Sequence, residues 1–150
     1  ICILMIAFKK IFPFVFLLFT TALVYSQKLN VDSLYQTVLR QKDDTAKAST
    51  LLALGENYRR KNADSTFYYA DALMQLSKKI SYSKGIADAY FLTAEGFYTS
   101  LELDSAKYFY KEAKKNYESL NLPKQVNKMN MYLCNSNLKM GDYNDALEFA

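Results

Sequence analysis

Apolar side chains recur three and four residues apart along most of the chain, the spacing that lines one face of a helix. One stripe runs Leu51, Leu54, Gly55, Tyr58, and another Phe91, Ala94, Tyr98, Leu101. Between and after them run Thr66, Tyr69, Ala70, Leu73, Ile80 and Ala106, Phe109, Tyr110, Ala113, Tyr117, Leu120. Small residues alternate with rings, so a backbone approaches closely at one position and an aromatic side chain fills the space at the next. The stripes predict a leading helix at about 31–41 and helix pairs at about 45–80, 84–120 and 123–150.

The stripes repeat at a fixed interval of forty, which decides the architecture. Leu51 aligns with Phe91 and Met131, and Leu54 with Ala94 and Cys134. Tyr58 aligns with Tyr98 and Leu138, Thr66 with Ala106 and Ala146, and Tyr69 with Phe109 and Phe149. The expected fold is all-α, an antiparallel helix-pair solenoid following an N-terminal signal helix. Asp64-Ser65, Asp104-Ser105 and Asp142 stand where second helices should start, with side chains suited to orphan N–H groups and to the positive helix end. Pro123 suits a first helical turn, and Gly85 and Gly141 are expected at turns. Repeat units are placed at about 45–82, 83–122 and 123–150. The last is incomplete at Ala150 without a stop signal, as expected of the front piece of a longer chain.

Residues 1–26 read differently. With Met5 as the expected start, Lys9 and Lys10 precede an apolar run from Ile11 to Val24, and Tyr25-Ser26-Gln27 follows. Fourteen helical residues span roughly 21 Å, short of a hydrocarbon core of about 30 Å. A cleaved signal peptide is therefore expected rather than a spanning helix, with Val24 and Ser26 at positions −3 and −1 of the cut. Residues 27–44 then form a leading helix and linker. The implied location is extracytoplasmic, with membrane attachment only through a retained leader or a later span.

Composition narrows the chemistry. Gly (4) and Pro (2) are scarce, which favours helices. The net charge is +4, of which the leader's two lysines supply half, and charges of both signs are interspersed. That pattern does not suggest a nucleic-acid partner. There is no histidine, which removes His-based acid–base chemistry, His-containing triads and His-containing metal sites. Asp43-Asp44 is the adjacent carboxylate pair to consider, and its place before a helix assigns it to capping or solvation. Cys134 aligns with Leu54 and Ala94 and is expected in the core. No cofactor, no metal and no enzyme activity are expected of this segment.

At Leu54-Gly55-x-x-Tyr58, Ala106-x-x-x-Tyr110-x-x-Ala113 and Gly141-Asp142-Tyr143-x-x-Ala146-Leu147 the chain resembles tetratricopeptide repeats. It departs from them in its period, forty against thirty-four, in Thr66 for the usual Ala, and in Asn135 and Leu138 for Gly and Tyr. The order of leader, Asp32-Ser33-Leu34 helix and Asp43-Asp44-Thr45 leading into repeats resembles the extracytoplasmic front end of bacterial sensor histidine kinases and helix-turn-helix regulators. The resemblance implies a protein or peptide partner held on the concave face of the first helices. By the family's register this face carries Leu52, Glu56, Arg59, Leu92, Tyr132 and Lys139. Leu52, Leu92 and Tyr132 would form an apolar groove, with Arg59 and Lys139 steering an acidic partner; the alternative is that the three apolar residues pack on the next pair. The Lys/Asn clamp with which some members grip a peptide carboxylate is not reproduced. A sensing or scaffolding segment of a membrane signalling protein is the expected role, and a free-standing envelope adaptor or assembly factor is the alternative.

Overall fold

Asp44 starts the first helix: its Oδ1 accepts from the backbone N–H groups of Ala46 and Lys47 at 2.9 and 3.0 Å, satisfying two of the orphan donors at a helix start. The computed structural model describes residues 40–149 together with Tyr35, Gln36 and Val38. The expected leader and most of the expected leading helix lie outside the described residues. From Arg40 onward the chain forms a unit of its own. It is all-helical, with no strand among the described residues.

The helices are α1 (Thr45–Tyr58), α2 (Ala63–Lys79), α3 (Ser83–Thr99), α4 (Leu103–Ser119), α5 (Pro123–Met140) and α6 (Tyr143–Glu148). Each packs against the next in sequence, and α1 also packs against α3. Odd-numbered helices stand where the sequence places opening helices, and even-numbered ones where it places closing helices.

The connections share one device. Arg60, Ser81, Leu101, Asn121 and Gly141 each adopt positive φ, between 52° and 86°. At four of them the chain closes a Schellman-type bond: Tyr82 N–H to Ser77 O, Glu102 to Phe97, Leu122 to Tyr117 and Asp142 to Asn137, at 2.8–3.1 Å. Only the last of the five uses glycine, the residue that adopts this backbone without strain.

Several local expectations are corrected. Gly85 lies inside the first turn of α3, not in a turn, and is buried against Ser77 and Tyr82. Asp64 and Asp104 sit within the first turns of α2 and α4. The cap of α2 is Asn62, whose Oδ1 accepts from Ser65 N–H at 2.8 Å. Leu101 leaves the core stripe, because it occupies the positive-φ turn after α3 and is 65% exposed.

The second helices carry the most regular packing. Thr66, Ala106 and Ala146 are all buried at the forty-residue interval, so each closing helix brings its backbone close to its neighbours. Beside them rings form a ladder: Phe67 meets Phe97 edge-on at 4.9 Å, and Phe97 stacks on Phe109 at 5.3 Å. The α2–α3 contact needs Gly96, since a Cβ there would lie 2.6–2.9 Å from the Phe67 ring.

The first helices repeat less well. Leu51, Leu54, Phe91 and Ala94 are buried. Their third equivalents are not: Met131 is 52% exposed, Leu138 is exposed and Cys134 is half-buried. In α5 the buried face is instead Met129, Tyr132, Leu133, Ser136 and Asn137. The reason is directional. Phe91 points onward to Tyr132 of α5, ring centroids 5.4 Å apart, and no described residue covers Met131 in the same way.

Candidate partner-binding surface

Two buried acids organise the opening helices. Asp88 and Glu95 lie seven residues apart on α3, on the face it turns to α4, where Tyr117 and Tyr110 also lie seven apart. The Tyr110 hydroxyl donates to Glu95 Oε1 and the Tyr117 hydroxyl to Asp88 Oδ1, both at 2.7 Å. Burial, then the charge and hydrogen bond of the facing carboxylate, push both phenols far above their ordinary range.

Glu95, 0% exposed, is balanced from α1. Arg59, the C-cap of α1, donates from one terminal nitrogen to Glu95 Oε2 at 3.3 Å and to the Tyr132 hydroxyl at 2.6 Å. Arg60 Nε stands 3.8 Å from the same carboxylate. The Arg59 guanidinium also lies over the rings of Phe91 and Tyr132, 5.7 and 5.9 Å from their centroids. Burial alone would lower its pKa, but the Tyr132 hydroxyl and the Glu95 charge outweigh that and hold it raised. One side chain at the end of α1 thus joins α3 and α5.

Towards the other end of the opening helices lies a cleft of about 250 Å³. Leu52 and Glu56 of α1, Lys84, Asp88 and Phe91 of α3, and Lys124, Gln125, Lys128 and Met129 of α5 line it, with Tyr117 of α4 behind. Lys84 Nζ binds Asp88 Oδ2 at 2.7 Å. Lys128 Nζ lies 3.7 Å from Glu56 Oε1 and 4.5 Å above the Phe91 ring. A second cleft of about 420 Å³ is lined by Arg60, Tyr98, Thr99, Asn135 and Lys139, with Lys139 Nζ 4.4 Å above the Tyr98 ring.

The residues expected on the binding face therefore divide. Leu52 and Glu56 reach the first cleft, and Lys139 reaches the second. Arg59 is committed to Glu95 and Tyr132. The expected groove of Leu52, Leu92 and Tyr132 does not form. Leu92 is 0% exposed because it fills the space that the missing Cβ of Gly55 leaves open. Tyr132 is 5% exposed; its ring stacks on Tyr110 at 5.3 Å and its hydroxyl accepts from Arg59. Both pack on the preceding helix pair, Leu92 against Gly55 and Tyr132 against Tyr110, rather than on the next.

Sequence reasoning passed over Asp88, Glu95, Lys84 and Lys124. The acids were marked by falling seven apart on an apolar stripe, and Lys84 and Lys124 by their separation of forty. Cys134, expected in the core, instead lies half-buried at the edge of a cleft with Met131 and Phe149. Asp43 is a clip, bridging Lys47 at 2.9 Å and Lys79 at 2.5 Å.

No family model, curated protein or solved structure matches the chain. Among the described residues no group of three or more His, Cys, Asp or Glu is placed to hold a metal ion, and no helix is long and apolar enough to cross a membrane.

Proposed function

We propose that residues 45–150 are a tetratricopeptide-like helical solenoid that works as a protein-interaction module, and that the whole chain is the exported sensing or scaffolding part of a membrane signalling protein. The observation that carries the interaction reading is the recurrence of helix pairs at forty residues with Thr66, Ala106 and Ala146 buried alike. Such stacks present a continuous surface of opening helices to a partner segment. The cleft bounded by α1, α3 and α5 lies on that surface. Export and signalling rest on the basic-then-apolar leader and on the resemblance of the repeat order.

The test places a photo-crosslinking amino acid at Glu56 or Lys139 on opening helices, and at Gln75 or Lys111 on closing helices, in cells that make the protein. A partner protein crosslinked from the opening-helix positions and not from the closing-helix ones supports the reading. Equal crosslinking from both sets contradicts it. Protease access from outside the cytoplasmic membrane tests export separately.

A further inference from the structure

The cleft between α1, α3 and α5 has a charge balance that specifies its guest. Glu56 is matched by Lys128, and both carboxylate oxygens of Asp88 are taken, one by Lys84 and one by Tyr117. Lys124 lines the same cleft and makes no ion pair or hydrogen bond with any described residue. The cleft thus holds one positive charge in excess. Leu52, Phe91 and Met129 supply apolar wall beside it.

From this we infer that the cleft receives an acidic side chain flanked by an apolar one, carried on a segment of a partner protein, with Lys124 as the receiving cation. The inference rests on the interaction reading above and adds the chemistry of the partner. Size favours a side chain over a free metabolite, because about 250 Å³ falls below the usual 300–1,000 Å³ of small-molecule pockets. Charge favours a carboxylate over an amine, because each acid in the cleft already has its lysine. Lys128, held over Phe91, keeps a cation beside the apolar wall, so the guest's charged and apolar groups are read side by side.

The experiment follows backbone amide shifts of the ¹⁵N-labelled full chain during titration with acetyl-Leu-Asp-Leu-amide at millimolar concentration. Acetyl-Leu-Asn-Leu-amide and acetyl-Gly-Asp-Gly-amide serve as controls for charge and apolar contact. Shifts are expected to gather at Leu52, Lys84, Gln125 and Lys128 with the aspartate peptide, and to weaken about tenfold with either control or in Lys124→Glu. Lys124 is exposed in the first turn of α5, where an acid suits the helix dipole, so the variant keeps its fold and its unbound spectrum reports that directly. Equal response to the asparagine peptide, an unaffected Lys124→Glu variant, no response at all, or shifts gathered elsewhere would each overturn the inference. The crosslinking outcome is independent: an opening-helix face that crosslinks but ignores the aspartate peptide keeps the interaction reading and removes the acidic guest.

Discussion

Glu95 shows how a single buried charge fixes several helices at once. Its carboxylate is desolvated but meets Tyr110, Arg59 and Arg60, and removing one member of such a set costs more than the set contributes. Glu95→Ala is expected to lower stability by about 3 kcal/mol, near the bottom of the usual range because the Arg59 side chain stays a quarter exposed. Glu95→Gln keeps an acceptor for Tyr110 and should lose about 1–2 kcal/mol; chemical denaturation of both variants checks the order. The two phenols give a second test. Their folded pKa values lie above the unfolded value, so their contribution is complete below pH 10 and is lost as pH rises further. Absorbance titration should find Tyr110 and Tyr117 silent until the protein unfolds in alkali, and their titration near pH 10 in the folded protein would contradict the buried pairing. Ala106 is fully buried, so Ala106→Leu should destabilise by about 1–3 kcal/mol through overpacking, and an unchanged melting temperature would displace α4 from its register.

At the scale of elements, the helices were readable because burial on one face imposes the 3.6 period directly on the sequence. Openings expected at about 45, 84 and 123 stand beside Thr45, Ser83 and Pro123. The turns were less readable. Glycine and aspartate mark turns in a sequence, yet the backbone at Arg60, Ser81, Leu101 and Asn121 turns through positive φ without glycine; at the last three the Schellman bonds and the flanking helices outweigh the local strain. Leu101→Gly removes that strain and gives up an already exposed side chain, so it should stabilise by about 1 kcal/mol; a lower melting temperature would mean that Leu101 has a packing role. The groove expected from Leu52, Leu92 and Tyr132 failed for a related reason. A period shows which positions are equivalent, whereas burial depends on the neighbour each equivalent meets, and Leu92 meets Gly55.

For the unit from Arg40 onward, each pair of helices depends chiefly on its neighbours, so ties that reach across pairs govern how cooperatively it unfolds. Arg59 is one such tie, whereas the Asp43 clip joins α1 to α2 within the first pair. Hydrogen bonds from Lys79 and then Lys47 lower the Asp43 pKa to about 2 from 3.8. Its contribution is therefore present above pH 3.8 and fades as pH falls towards 2. Asp43→Asn should reduce the melting temperature at neutral pH and leave it nearly unchanged at pH 2. Helices punctuated at regular steps are the central feature of this chain, and residue-level amide hydrogen exchange tests that most directly. Protected runs are expected within α1 to α5, broken by fast exchange at Ala63–Asp64, Ser83–Gly85 and Leu103–Ser105, whose N–H groups find no acceptor among the described residues. Protection running unbroken through Ser83–Gly85 and Leu103–Ser105, or none across Ala106–Ser119, would contradict it.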